Sequence, residues 1–505
     1  MPDIPITTWA ELKTALEGSP SAGDRYICST PLTVTSTITI AADGAVGDPI
    51  IVQGAGWDAQ TFITGLDDTT SFEIIGRQNI VIQYFEQVGG SHFVEFSGTC
   101  VNVEILRCKG SQWTHSVSAD TQFIGAGGGS RTGCRVAWCE GFDANHDFFS
   151  TAGSYGWICE YNWVHDLGVP YSLSNVDAFA FHQSDAALSI VRYNRIERCY
   201  GKSAISVGNV GGSWVDVYGN YVYECHRGVL YQGTDVLGYC YNNVVIMTDR
   251  IPQGSLSVFG IGALTGDSPN GDVKFYNNYV YNGSKASYVF AYVFDTLFEF
   301  VNNVAVVGND TAKFYYISAG SVGFGSTLAD NHFWSTDGVE GARIEIASVN
   351  YTLAQVQGLL PGAEAGTLFS DPEIFGFAPT DAIGAAPKPG SPLIGTGTDL
   401  SGTFTEDIHQ RTRSVWTKGP WDAVALPTRV AADRLKILNL DEQRDASWGP
   451  RLTAAQHDAI AQGGNGVTDG ALVSLMTSLM VGAGHDDGTY LLDFSDPNNS
   501  MYEGV

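Results

Sequence analysis

The chain has 505 residues, with 26 Lys+Arg against 54 Asp+Glu for a formal net charge of −28, 44% hydrophobic residues and 60 glycines. So much apolar content with so few charges excludes a disordered chain. The acidic balance excludes a nucleic-acid partner and an anionic membrane surface, since both are held by clustered Lys and Arg.

Residues 1–45 read as an N-terminal cap. Met1 to Thr8 has neither a basic n-region nor an apolar h-region, so no export signal is expected, and the retained Met1 points to folding in the cytoplasm. Thr8 and Glu11 make a capping-box pattern that opens an amphipathic helix through Leu16. No apolar run reaches the ~20 residues of a spanning helix, so no membrane insertion is expected.

Residues 46–345 carry a repeat. Alternating apolar segments end in Asn162, Asn194, Asn220, Asn243, Asn278, Asn303 and Asn331, at intervals of 32, 26, 23, 35, 25 and 28. Cys108 and Cys139 hold the same place in earlier units. Between these marks lie segments such as Asp177 to Phe181 and Ser203 to Val207, whose period of two reads as short strands. A unit this short cannot bury its own apolar face, but stacked units can, and an Asn repeated in register then makes a ladder of side-chain amides. The fold expected is all-β: a parallel β-helix of about ten coils.

Residues 346–428 read as the end of the β-helix and a closing module. Residues 429–505 change to helical periodicity, with Leu472, Leu475, Met476, Leu479 and Met480 on one face. That stripe is expected to oligomerise the chain or dock it to an assembly. The nine cysteines are odd in number and contain no CxxC pair, so neither a full disulfide set nor a zinc site is indicated. They read as small core residues, although Cys199 and Cys225 lie in adjacent coils where a bridge has the right geometry.

From about residue 8 to 425 the chain resembles the right-handed parallel β-helix proteins of the pectate-lyase-like superfamily. The resemblance rests on the Asn repeat, on the helix from Thr8, on Lys388-Pro389-Gly390-Ser391-Pro392-Leu393-Ile394-Gly395-Thr396-Gly397 and on Trp421-Asp422. It implies a helix capping the first coil and an open choice of role, because the superfamily holds lyases, hydrolases, epimerases and non-catalytic virion proteins. The polygalacturonase-type motifs do not occur as a set, and Asp-Pro-His of alginate epimerases is missing. The acidic set with which pectate-lyase-like enzymes hold calcium does not stack clearly, so no metal and no cofactor are expected.

One constellation carries chemistry. Aligning the strands puts Asp147, Asp177, Ser203 and Arg227 in one column, at intervals of 30, 26 and 24. Rungs of a sheet lie ~4.8 Å apart, so the two carboxylates would sit about 5 Å apart, as in a retaining glycosidase. His182 and Asp185 follow on the same coil as Asp177, and His226 adjoins Arg227. His165-Asp166 forms a second candidate pair. Trp113, Tyr171 and Trp214 offer flat surfaces for a sugar ring. The competing structural reading is that an Asp at a strand start caps its turn, and the alternation of Asp177 with Phe179 and Phe181 points it inward.

The leading expectation is a bacteriophage-like virion protein: a tailspike, receptor-binding protein or capsid-surface decoration. It would be trimeric, facing host glycan at the virion surface and meeting other virion proteins through 429–505. The alternative is a polysaccharide lyase or glycoside hydrolase, secreted or at the cell surface.

Overall fold

Strands this short survive only when each pairs on both sides, and winding the chain into a solenoid provides that. The protein, seen in a computed structural model, is a right-handed parallel β-helix. The structure describes residues 3–422 apart from a series of loop stretches, the longest being 249–256, 262–271, 318–326 and 375–384. The helical stripe Leu472, Leu475, Met476, Leu479 and Met480, like all of 423–505, lies outside the described residues.

Three sheets of thirteen strands each form the walls. A coil runs through sheet I, a tight turn, sheet II, a loop, sheet III and a second loop. Ser154–Glu160, Trp163–Leu167 and Asp177–His182 are one such coil, and Ser189–Arg192 begins the next. All pairings between described strands are parallel except the last in sheet III, where Val349–Tyr351 runs antiparallel to Ile344–Ile346. At the other end, helix α1 (Trp9–Gly18) is opened by the Thr8/Glu11 capping box and buries Trp9, Leu12 and Leu16. The Trp9 ring meets Phe72 at 5.4 Å, so the helix plugs the first coil and shields its core from water.

The asparagines stack at the turn between sheets I and II. Each side-chain Oδ1 accepts both the backbone N–H and the Nδ2–H of the asparagine one coil earlier. For Asn194 onto Asn220 both distances are 3.0 Å, and for Asn220 onto Asn243 both are again 3.0 Å. The ladder starts at Asn162, which accepts from the Cys139 N–H at 2.9 Å, and ends at Asn331, whose N–H donates to Thr367 Oγ1 at 2.9 Å. Cys108 precedes it, its N–H pointing at Cys139 Sγ at 3.5 Å. All nine cysteines are buried and free.

The turn requires a left-handed residue just before each asparagine, and Tyr161, Tyr193, Gly219, Asn242, Asn277 and Asn302 all have φ between 51° and 67°. Asn and Gly take this conformation at little cost. The aromatic side chains recover theirs by stacking: Trp138 on Tyr161 at 5.9 Å and Tyr161 on Tyr193 at 5.3 Å. Asn242, Asn277 and Asn302 instead form a second, outward column that holds the closing module. They donate to the carbonyls of Glu406 (2.7 Å), Thr417 (2.7 Å) and Thr398 (2.8 Å) respectively. The module lays Ile374, Leu393, Ile408 and Trp421 over Val244, Tyr279 and Val304 of sheet II. The outer face of the later coils is thereby covered.

Candidate active site on sheet III

Strand starts in sheet III lie at the corner where the chain arrives from sheet II. There the register places Gln122 beside Asp147 and Asp177 beside Ser203, while Ala204 N–H reaches the Arg227 carbonyl at 2.9 Å. Two consecutive residues, Phe148 and Phe149, both turn into the core. Side chains beside such an irregularity need not follow strict alternation, so the inward phase expected for Asp177 does not settle where its carboxylate lies.

Asp147 is half-buried, and its Oδ1 accepts the Asp177 N–H at 2.7 Å. Burial and the neighbouring Asp177 push this carboxyl well above its ordinary range. Asp177 is 1% exposed. Burial raises it to about 6, while Lys202, Ser203 and Arg227 pull the other way. Lys202 Nζ lies 3.7 Å from its Oδ2. Lys202 also acts electrostatically on Asp147 and His182. The His182 N–H donates to Thr151 Oγ1 at 2.9 Å, and its Nδ1 faces the Gly208 carbonyl at 3.2 Å. Burial pushes its pKa down, which leaves the ring neutral at pH 7.

Some polarity here is unsatisfied: His226 Nδ1 and Arg227 Nε are buried without a hydrogen-bond partner among the described residues, whereas the Ser203 N–H and hydroxyl act on the Asp177 carboxylate. Folded proteins satisfy most such groups, so these orphans invite water.

The structure brings Asp147 beside Asp177 at the corner, with Arg227 acting on Asp177, whereas His182 stands at the far end of the Asp177 strand and His226 lies before the strand Val229–Gln232. Asp185 and Tyr171 lie outside the described residues. Trp113 must be withdrawn from the sugar-binding set: it is fully buried, 5.5 Å from Phe123 in the core, where no sugar can reach it. Trp214 is half-buried and its Nε1–H is taken by Asp216 Oδ1 at 3.0 Å. Lys202 escaped the sequence reading. Its one signal was that it directly precedes Ser203 of the column. His165-Asp166 lies elsewhere, on sheet II, in a network where His165 bridges Asp166 at 2.7 Å and Glu140 at 3.2 Å, and Arg198 clamps Asp166 at 2.6 Å.

The calcium chemistry that the sequence resemblance implies does not fit this corner. Asp147 Oδ1 is occupied by a backbone N–H, the ammonium of Lys202 already stands beside Asp177, and no three His, Cys, Asp or Glu side chains among the described residues converge as a metal cage.

No protein-family model and no curated protein matches the sequence. Solved structures do match. The PL6 family alginate lyase AlyGC aligns with TM-score 0.50 at 13% identity, over 76% of this chain and 55% of its own. The PL6 polysaccharide lyase Pedsa3628 of Pseudopedobacter saltans aligns with TM-score 0.47 at 13% identity, over 73% of this chain and 92% of that one. An alginate lyase of a Paenibacillus species gives TM-score 0.39 at 14% identity, over 62% and 97%. The virion expectation, with its tailspike and capsid-decoration roles, is corrected by this result. It was drawn from the missing export signal, the retained Met1, the negative charge and the helical segment 429–505, and the solved structure that shares this fold at TM-score 0.50 is an alginate lyase. In fold, the chain is a right-handed parallel β-helix, the architecture it shares with the alginate lyase AlyGC.

Proposed function

We propose that this protein is a depolymerase of an acidic polysaccharide, cleaving uronate chains by β-elimination at the sheet III corner. The observation that carries the reading is that two cations, Lys202 and Arg227, meet the carboxyl pair Asp147 and Asp177 at one corner. A lyase must do three things: neutralise the uronate carboxylate, remove the proton at C5, and protonate the oxygen leaving C4. Arg227 is half-buried, and its planar guanidinium fork is suited to grip a carboxylate. Neutralising that carboxylate acidifies the C5 proton. Asp147, held above its ordinary range, is a stronger base than a normal carboxylate and takes the proton. Lys202 supplies the proton to the departing oxygen. The electron pair of the C5–H bond becomes the C4–C5 double bond as the C4–O bond breaks, which balances the step. Asp177, too deeply buried to touch a polymer, positions Lys202 and helps keep Asp147 protonatable.

This arrangement also answers the charge problem: a chain of net charge −28 repels polyanions except where cations are concentrated. The alginate lyases of similar fold suggest alginate as the first substrate to try. The test incubates the protein with alginate, pectate and neutral glucans and follows the ultraviolet absorbance of the unsaturated product. Wild type should generate the chromophore from a uronate polymer. Lys202→Ala, Arg227→Ala and Asp147→Asn should each lose about 10²–10⁴ in rate at unchanged fold. New reducing ends without the chromophore would mean hydrolysis by the carboxylate pair. No cleavage of any acidic polymer would refute the proposal.

A further inference from the structure

On the opposite wall, where the closing module crosses sheet I, there is a hollow of ≈ 210 Å³. Its walls are Tyr193, Tyr218, Tyr241 and Phe404, with Arg192 and Glu406 at the sides. We propose that this hollow binds a single neutral pyranose unit, a carbohydrate site separate from the sheet III corner and independent of the reaction proposed there.

Three features argue for a ligand over a packing gap. The first is that the hollow is built. The aromatic column Trp138, Tyr161, Tyr193 stops at Gly219, with φ of 67°, where a Cβ would come within 2.5 Å of the Tyr193 ring. A side chain at 219 would strike that ring, so the glycine lets the Tyr193 ring settle over it as one wall of the hollow. The second is the shape of the aromatic wall. Tyr218 stacks on Tyr241 at 4.6 Å and 8°, and Tyr241 on Phe404 at 4.4 Å and 18°. Tyr193 stands edge-on to Tyr218 at 5.6 Å and 87°. Stacked rings meeting a perpendicular one form a corner against which the C–H face of a sugar can pack while its hydroxyls point away.

The third is the polar rim. Arg192 is fixed by Glu160 at 2.5 Å and by Tyr218 Oη at 2.9 Å, so it is rigid before anything binds. The Tyr193 and Tyr241 hydroxyls make no hydrogen bond to a described side chain, and Glu406 presents its carboxylate at the exposed edge. Size and charge then choose the ligand. The volume leaves room for one sugar ring. One arginine against Glu406 and Asp407 leaves the lining net negative, which rejects a uronate and accepts a neutral sugar.

The test is saturation-transfer NMR and calorimetry on the full chain, with glucose, galactose, mannose and their disaccharides as probes against glucuronate and an alginate trisaccharide. At least one neutral sugar should bind saturably at millimolar affinity, better than either uronate. Thr405→Trp, at an exposed position on the lining, should block the mouth and weaken binding by at least about tenfold. Tyr193→Phe, which removes only a hydroxyl, should weaken it several-fold at an unchanged melting temperature. Asp147→Asn should leave it intact, so loss of the lyase reading and loss of this site are distinguishable. Absence of saturable binding by every neutral sugar, preference for uronates, or binding that survives both hollow variants would overturn the proposal.

Discussion

Replacing Asn220 by leucine tests whether the amide ladder holds the coils together. Asn220 is fully buried. Its Oδ1 accepts the Asn194 N–H and Asn194 Nδ2–H, and its Nδ2 donates to Val191 O at 2.9 Å and Asn243 Oδ1 at 3.0 Å. Leucine fills the same space, so no water can enter to replace the amide. The Asn194 backbone N–H then loses its acceptor, at a cost of about 1–3 kcal/mol for a buried orphan. The other groups suffer less: Asn194 Nδ2 keeps the Cys159 carbonyl at 3.0 Å, and Asn243 Oδ1 keeps the Asn220 N–H at 3.0 Å. Those weakened bonds add roughly another 1 kcal/mol, and the apolar burial of leucine offsets about as much, so the net loss expected is about 1–3 kcal/mol. Equilibrium urea unfolding read by tryptophan fluorescence measures it, with Asn350→Leu on the exposed strand Val349–Tyr351 as control. In a solenoid each coil leans only on its neighbours, so amide exchange should accelerate first around residues 190–245. A loss below about 0.5 kcal/mol, equal to the control, would show that the ladder is ornament to a core that holds by itself.

Three further outcomes follow from the same structure. Asp177 is held at about 6 against an unfolded value of ~3.9, so its contribution is whole below about pH 4 and is lost as pH rises through about 6. The melting temperature of wild type relative to Asp177→Asn should therefore fall across that window, and a flat difference would contradict the burial argument. His332 has the opposite sign: burial pushes it down to about 4, its Nε2 meets the Ser370 carbonyl at 2.8 Å, and its Nδ1 has no partner for an added proton. Its contribution is whole above about pH 6.5 and is lost as pH falls toward about 4, so the advantage of wild type over His332→Asn in thermal melts should shrink over that range. Asn302→Ala removes the pair of 2.8 Å bonds to the Thr398 N–H and carbonyl, which should loosen the closing module by about 1–2 kcal/mol. Limited proteolysis should then cut within 395–422 before the coils, and unchanged cleavage would mean that the apolar contacts of Trp421 and Leu393 suffice.

The sequence alone determined the solenoid, because the signal there is local and repeated. Alternation with period two dictates strands, a unit of 23 to 35 residues cannot bury its own face, and an asparagine at each interval has only its copies to bond with. The column of Asp147, Asp177, Ser203 and Arg227 was legible for the same reason: in a parallel stack, register follows from the repeat. What depended on three dimensions escaped. Trp113 reads as a sugar platform in one dimension, yet its indole packs among phenylalanines, since no periodic pattern says which way an aromatic on an irregular loop will turn. Lys202 joins the site only because its side chain crosses from its own coil to the Asp177 of the coil before, a reach set by rotamers and not by spacing. The first asparagine of Asn242-Asn243, Asn277-Asn278 and Asn302-Asn303 belongs to a second column whose partners lie 96 to 164 residues away in the closing module. Contacts of that range are chosen by what the folded solenoid leaves uncovered, and no stretch of sequence contains both partners at once.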